Sequence, residues 1–262
     1  IHNLTTYKHR VLYYGPENIT KVASELSKLH INKSDLKEIP VKVEFTEGTM
    51  DKPLVYVVDY DMKQAEVMML SKGSKLNMDE YSQIRFHNEY FGGGMSSIVF
   101  QEMRESKALA YSVYSTYTIP SDKDVSHYLM SYIGTQADKL GEAMAGMTEL
   151  LENMPEAEAN MNNAKDAIEQ KIRTERLTKS KVLSEYEKAQ KIGINHDIRK
   201  DMYESVQTYD MNTLKEFHNS HIAGGTRVVM VLGSKDDLDL EVLKQYGEIV
   251  HLTLEDVFGY WE

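Results

Sequence analysis

The chain has 262 residues, of which 41% are hydrophobic and 27% are charged, a composition typical of a globular protein with a sizeable core. Its net charge of −11 argues against a nucleic-acid partner, because a phosphate backbone is also negative and no stripe of Lys and Arg offsets the repulsion. Cysteine is absent, which excludes disulfides and thiolate metal sites. The acidity weakly favours a basic partner or substrate, but the favoured explanation is that it keeps the protein soluble.

No apolar run approaches the ~20 residues of a membrane span, so we expect no membrane partner. No signal peptide is visible either. The sequence begins with Ile1 in the middle of a pattern, which indicates a fragment of a larger protein whose targeting segment would lie upstream. We therefore expect a soluble protein and leave its compartment open between the cytoplasm and the bacterial periplasm.

Two parts of the chain share one pattern, a β-rich run followed by a glycine turn and a helical run. Residues 10–14 lead in this way to Ile19–Leu29, and residues 227–232 lead to residues 239–246. The simplest interpretation is a tandem repeat, with chance similarity as the alternative.

The repeat predicts two parts of unequal size. Residues 1–38 would be the tail, a strand and a helix, of a preceding homologous domain. Residues 39–262 would form the whole of the next domain.

Strand patterns and helical patterns follow one another along the rest of the chain. β-rich runs occupy residues 41–45, 54–60, 65–70, 111–119 and 127–134. Helical patterns occupy residues 81–91, 95–106, 138–153, 156–177, 181–192, 201–209 and 212–221. Because strand pairs precede a block of helices, we predict an α+β fold with an antiparallel sheet covered on one face by helices.

Four local patterns predict which side chains face the core or cap a helix. Asp210 supplies a capping oxygen before the helix at residues 212–221. The helix at residues 95–106 presents a stripe formed by Met95, Ile98, Val99 and Met103. The helix at residues 138–153 presents a second stripe, formed by Leu140, Ala143, Met144, Met147, Leu150 and Leu151. Tyr111 shares one face of its strand with Val113, Ser115, Tyr117 and Ile119.

The most informative stretch runs from Phe91 to Tyr117. Three consecutive glycines, Gly92, Gly93 and Gly94, precede a helix, and they fit a corner with positive φ, a close approach of a peptide chain, or an anion-binding nest. Neither nucleotide-binding glycine motif is present, so a phosphate site is the least favoured of the three.

Arg104 ends this helix and Tyr111 opens the next strand, so the two side chains are expected to face one cleft. Each has an ordinary alternative role: Arg104 as a surface cation at a helix C-terminus, and Tyr111 as a core aromatic. Together they supply a donor fork for carbonyl oxygens and a phenol that can donate to an oxyanion.

Metal ligands are not evident in the sequence. Neither H-E-x-x-H nor H-x-x-E-H occurs. His218 and His221 lie three residues apart and could touch one ion, but no third ligand is evident, and we expect an exposed pair.

The stretch GGGMSSIVFQEMRESKALAYSVYSTY resembles the signature of the C-terminal half of the pitrilysin/insulinase family of zinc peptidases, which includes the mitochondrial processing peptidases. The resemblance is strong over residues 90–117 and weaker over most of the chain. It implies homologous α+β repeats in two halves that close around a chamber, with zinc and the general-base Glu in the N-terminal half.

The same resemblance implies roles for the residues of the signature. Arg104 would bind the substrate backbone, Tyr111 would also stabilise the oxyanion, and Gly92, Gly93 and Gly94 would line the chamber. This chain would hold no cofactor itself, its partners would be a zinc-binding half and a peptide substrate, and alone it would be inactive. The alternative is a non-catalytic structural or assembly subunit of the same fold.

Overall fold

Residues 6–29 and 35–259 are described by the structure, a computed structural model of the chain. The chain forms two compact units, Ile1–Glu47 with Arg176–Asn195, and Gly48–Glu175 with His196–Glu262. The predicted division at residue 38 concerns ancestry and stays a prediction.

The smaller unit contains the helices α1 (Ile19–Leu29) and α5 (Lys179–Lys191). No residue of α1 or α5 is buried, and within this unit the extended segment at residues 39–45 leaves Val41 94% and Phe45 90% exposed. The two helices of this unit therefore form without burying a side chain of their own.

The larger unit is built on one six-stranded sheet. Its strands are β1 (Leu54–Asp59), β2 (Gln64–Lys75), β3 (Ser112–Tyr117), β4 (Ser126–Gln136), β5 (Val228–Gly233) and β6 (Glu248–Leu252). The spatial order is β3-β4-β2-β5-β1-β6. Pairing is antiparallel from β3 through β5, and β1 pairs in parallel with both β5 and β6.

Helices cover one face of this sheet. They are α2 (Tyr81–Phe91), a π-helix (Phe100–Ser106), α3 (Leu140–Glu152), α4 (Glu158–Thr174), α6 (Ile198–Thr208), α7 (Met211–His221), α8 (Leu240–Leu243) and α9 (Leu254–Phe258). Alternate residues of β2 are buried, so one sheet face joins the core and the other, which we call the open face, stays half exposed. The predicted α+β class is confirmed.

The edge strand β3 is closed by groups from α2 and the loop that follows it. The side chain of Asn88 donates to Tyr117 O over 2.9 Å and accepts from Tyr117 N over 2.8 Å. Ser115 N donates to Gly92 O over 3.3 Å. These bonds occupy backbone groups that a further strand would otherwise use.

Most predicted elements occur in the structure. The bounds of α1 and α2 agree with the prediction, all six predicted core residues of α3 are buried, and Asp210 Oδ1 accepts from Thr213 N over 3.0 Å. The predicted strands at residues 10–14 and 41–45 are wrong, because neither segment forms a ladder with any described residue, and a strand needs a partner for its N–H and C=O groups.

The helix predicted at residues 95–106 differs in its start and its winding. Helical structure begins at Ile98, and Phe100–Ser106 is wound as a π-helix. Met95 is 77% exposed, so its assignment to the core stripe is wrong, while Ile98, Val99 and Met103 are buried as predicted.

A buried histidine pair joins α2 to α7. His218 Nε2 lies 3.0 Å from Leu151 O, and His87 Nε2 lies 3.1 Å from His218 Nδ1. Because a carbonyl oxygen only accepts, His218 Nε2 carries the proton, and His87 Nε2 must then donate to His218 Nδ1. Both imidazoles are neutral in this arrangement.

The prediction of an exposed His218–His221 pair is wrong for His218, which is 1% exposed. Leu214, Phe217 and His218 form the buried stripe of α7, with the i, i+3, i+4 spacing of a core face. His221 lies at the margin of this cluster, with its Nε2 3.7 Å from Glu80 Oε1.

Burial holds the pKa of His87 well below its usual value and lowers that of His218 to about 4. The charges of His218 and His221 lower the pKa of His87 further. For His218, the bond to Leu151 O and the charge of Glu152 raise the pKa, Arg227 lowers it, and burial outweighs the two that raise it. Above pH ~6.5 these imidazole rings are neutral in both the folded and the unfolded chain. Below it the unfolded chain takes up protons that the folded pair refuses, so stability is lost as the pH falls from ~6.5 to ~4.

We therefore expect the free energy of unfolding to fall by roughly 3 kcal/mol for His218 alone across this range, with a further loss from His87. The variant His87→Gln keeps an amide donor toward His218 and removes one titrating ring, so its pH dependence should be shallower. Urea unfolding at pH 7.5, 6 and 5 measures the effect. The control His251→Gln, at an exposed position of β6, should keep the wild-type slope, and an unchanged slope in His87→Gln would contradict the assignment.

Candidate functional site

The loop between the π-helix and β3 holds the candidate site and is fixed by bonds to β4 and its end. Tyr111 N donates to Gly134 O over 2.8 Å, and Thr135 Oγ1 donates to Leu109 O over 2.6 Å. Lys139 Nζ donates to Ala108 O over 3.2 Å. The loop is therefore held along its length by the neighbouring strand.

The π-helix sets where this loop begins. Lys107 N donates to Glu102 O over 3.2 Å, the i to i+5 bond of a π turn. Met103 lies buried against α3, where a Cβ at Gly146 would come within 3.0 Å of its Sδ. The wide turn thus lets Met103 reach the core while Arg104 points away from it, 48% exposed.

Arg104 and Tyr111 line one pocket of about 440 Å³. Its other lining residues are Glu105, Ala108, Leu109, Ala110, Thr135, Gln136 and Lys139. The expectation that a helix end and the next strand would place these two side chains at one cleft agrees with this geometry. What they do there is a separate question.

Tyr111 is presented to solvent and oriented by one neighbour. It is 52% exposed, and its Oη accepts a hydrogen bond of 2.5 Å from Gln136 Nε2. Because Gln136 occupies an acceptor position of the oxygen, the phenolic proton can point into the pocket. The ordinary alternative, a core aromatic, is wrong for this residue, since Tyr111 precedes β3 and only Val113, Ser115 and Tyr117 of its predicted face are buried.

Positive charge dominates the polar lining of the pocket. The Arg104 guanidinium lies 5.0 Å over the ring of Phe100, with its Nε 3.8 Å from Glu105 Oε1. Lys139 adds a second cation at the rim. Two cations, one carboxylate and a phenol suit electron-rich oxygen atoms such as peptide carbonyls.

The three glycines do not line this pocket. A Cβ at Gly92 would lie 2.2 Å from Ser115 O, and one at Gly93 would lie 2.8 Å from Asn88 O. None of the three has positive φ, so the expected positive-φ corner is wrong. The close approach they permit is to the chain's own β3 and α2.

Three lining residues of the pocket carry no signal in the sequence. Gln136 is the last residue of β4 and Lys139 lies three residues after it, and they reach Tyr111 and Ala108 only through strand pairing. Ala108 has a φ of +48°, the only positive φ of a non-glycine residue among those the structure describes. An exposed alanine carries no pattern that could have predicted this.

Across residues 6–29 and 35–259, no group of three His, Asp or Glu side chains is placed to hold an ion. Over these ranges, likewise, no helix has both the length and the apolarity of a membrane span.

The sequence pattern that describes the peptidase M16 inactive domain matches residues 14–170, more than half of the chain. The chain belongs to this family. The uncharacterised zinc protease YmxG of Bacillus subtilis is 29% identical over 154 residues, 57% of this chain and 36% of that protein. The chain therefore matches only about a third of this relative's length.

Solved structures show the same fold. A peptidase M16 inactive domain from Pseudomonas fluorescens superposes with a TM-score of 0.63 at 18% identity, over 82% of this chain and 50% of that one. A chain of complex III2 from Candida albicans superposes with a TM-score of 0.59 at 16% identity, over 86% of this chain and 55% of that one. The M16 fold is thus shared with both.

The backbone at Ala108 gives a test of how the pocket wall is held. An L-residue in the left-handed region is strained by ~1 kcal/mol, and glycine is not. Ala108→Gly should therefore leave the free energy of unfolding unchanged or raise it by up to about 1 kcal/mol. Thermal and urea unfolding measure the change.

A matched alanine supplies the control. Ala137→Gly, in the short 3₁₀ turn after β4, replaces a partly exposed alanine with negative φ. It should destabilise the protein by about 0.5–1 kcal/mol. Equal losses in the two variants would mean that Ala108 is not strained.

Proposed function

We propose that this chain is the half of an M16 zinc endopeptidase that does not bind zinc, and that it helps to enclose a peptide substrate and to stabilise the oxyanion formed during its cleavage. The observation that carries the proposal is the shared pocket of Arg104 and Tyr111, in which Gln136 orients the phenol. Family membership and the zinc-protease relative support it.

Tyr111 acts through the proton that Gln136 leaves available. When a carbonyl carbon becomes tetrahedral, its oxygen gains negative charge and accepts a hydrogen bond more strongly. A phenol already held in place donates to that oxygen without reorganising. Tyr111 therefore stabilises the transition state more than the bound peptide.

Arg104 acts on the substrate backbone before the chemistry. Its guanidinium presents several N–H donors in one plane, which matches the carbonyl oxygens of an extended peptide. Stacking on Phe100 restricts the side chain, so less conformational entropy is lost on binding. Lys139 keeps the rim positive and favours the same oxygens.

The zinc of the proposed enzyme does not fit the described part of this chain, which offers no cluster of ligands. It would belong to a zinc-binding half, elsewhere in the same protein or on a partner subunit, where a metal ion activates water for attack on a carbonyl. The glycines Gly92, Gly93 and Gly94 retain a proposed place beside the substrate chamber, less directly than Arg104 and Tyr111, since they lie outside the pocket.

Replacing the phenol tests the proposal. In the full-length protein, Tyr111→Phe should lower kcat for hydrolysis of internally quenched peptides by about 100- to 1,000-fold, with KM little changed. Tyr186→Phe is the matched control, since Tyr186 has the same 52% exposure but lies outside the pocket. Wild-type kcat in Tyr111→Phe would refute the oxyanion role.

Metal analysis tests the division of labour. The purified 262-residue chain is exposed to zinc and then dialysed to remove the unbound ion. It should retain well under one zinc per molecule, because no described side chains form a site. Elemental analysis of the dialysed protein measures the ratio. One tightly held zinc per chain would show that the ligands are here and would overturn the assignment of the metal to another half.

The second candidate is a non-catalytic structural or assembly subunit. Its support is the shared fold with a chain of complex III2. It predicts that Tyr111→Phe leaves the protein's assembly and function intact. An H-x-x-E-H motif in the rest of the protein would favour the peptidase.

A further inference from the structure

The open face of the sheet carries a continuous row of aromatic and methionine side chains. Each member stands directly opposite the next on the neighbouring strand: Tyr114, Tyr132, Met68, Met230 and Tyr56. Directly paired residues project from the same face. We call these five residues the Tyr–Met row. Tyr114 is 38% and Met230 45% exposed, so the row offers apolar surface to a ligand.

The carboxylate of Glu66 lies beside the part of this row that Tyr132 and Met68 form. Tyr132 Oη donates to Glu66 Oε2, and burial together with this bond raises the pKa of Tyr132 to about 12. The phenol therefore stays protonated and holds the carboxylate in one position. Among residues 6–29 and 35–259, no Lys, Arg or His forms an ion pair with Glu66.

Glycine at position 134 gives the carboxylate its space. Gly134 stands directly opposite Glu66, and a Cβ there would lie 3.1 Å from Glu66 Oε2 and 3.0 Å from Tyr132 Oη. Any larger residue would press on both groups. Strands β2 and β4 thus place the partly buried carboxylate of Glu66 next to a neutral hydrogen-bond donor, with no ion-pair partner among the described residues.

This setting matches the chemistry of a lysine or arginine side chain. The aliphatic stem of such a residue packs on apolar surface, and its cation is attracted to a carboxylate and to aromatic ring faces. Tyr114 and Tyr132 stack with ring centroids 5.2 Å apart and supply those faces. A neutral apolar side chain would gain contacts with the Tyr–Met row but no attraction to the carboxylate.

Glu66 also lies within reach of the candidate site. Gly134 separates the two, because it pairs with Glu66 on one side and its carbonyl accepts from Tyr111 N on the other. Two strand spacings are about 10 Å, which about three residues of an extended peptide span. One peptide can therefore touch Tyr111 and Glu66 together.

We propose that Glu66, beside the Tyr–Met row, is a subsite that takes a Lys or Arg side chain of the peptide, a few residues from the bond next to Tyr111. This inference rests on the proposed function, since it assumes that a peptide occupies the pocket.

The test measures binding apart from turnover. Fluorescein-labelled peptides of one mixed sequence, with a single position scanned as Lys or norleucine, are titrated into the full-length protein with EDTA present, and anisotropy is followed. Norleucine keeps the stem of lysine and lacks its charge. At one scanned position the wild type should bind the Lys peptide about tenfold more tightly than the norleucine peptide.

The variants decide whether Glu66 causes that preference. In Glu66→Gln the ratio of the affinities for the Lys and norleucine peptides should fall toward one, while the affinity for the norleucine peptide is kept. Tyr132→Phe only releases the carboxylate and should lower this ratio partially. The control Glu248→Gln, on the opposite edge strand, should keep the wild-type ratio. A ratio unchanged in Glu66→Gln, or no Lys preference in the wild type, overturns the subsite.

The two proposals fail in different ways. Peptides that bind without a Lys preference contradict Glu66 alone. Peptides that do not bind at all contradict both the subsite and the enclosure of a peptide.

Discussion

The approach of the Gly92 backbone to Ser115 closes a loop of chain on which the candidate site depends. No side chain fits between these two residues, since a Cβ at Gly92 would lie 2.2 Å from Ser115 O. The chain between them contains the π-helix, Arg104 and Tyr111. Because both ends of this segment meet at one point on β3, its length and winding determine where the two side chains emerge. The glycines thus position the site rather than line it.

The π-helix fits this view of a closed segment. Because both ends of this segment are fixed, the helix cannot slide along its axis to bring Met103 into the core and Arg104 to the surface. A wider helical turn instead changes the angle between these two side chains. Met103 is fully buried and the adjacent Arg104 is 48% exposed. The strained backbone at Ala108 follows within the same segment, where Leu109 must turn back to meet β4. Irregular structure is concentrated where the segment has to close.

Helices with a clear apolar stripe could be predicted from the sequence, because the signal lies within a few turns of one chain segment. The six buried residues of α3 and the cap at Asp210 are examples. The strands predicted at residues 10–14 and 41–45 failed for the opposite reason. An alternating pattern shows that a segment can pair, and pairing needs a second strand that the described chain does not bring to it.

The residues of the candidate site also divide into those that could be predicted from the sequence and those that could not. Arg104 and Tyr111 are close in sequence and could be placed at one cleft from the order of their elements alone. Gln136 and Lys139 reach the site through the register of β4 with β3, and Glu66 is brought opposite Gly134 by the register of β2 with β4, which no local pattern reveals. His218 shows that a missed residue can still carry a signal, since its spacing from Leu214 and Phe217 is that of a core face.

The closure of β3 by Asn88 has a consequence for how copies of the chain meet in solution. An amide side chain that bonds both backbone groups of Tyr117 imitates a neighbouring strand without extending the sheet. Copies of the chain are therefore hindered from stacking edge to edge into fibrils at this strand. The sheet can thus leave aromatic side chains uncovered on its open face while β3 offers a poor template for edge-to-edge growth.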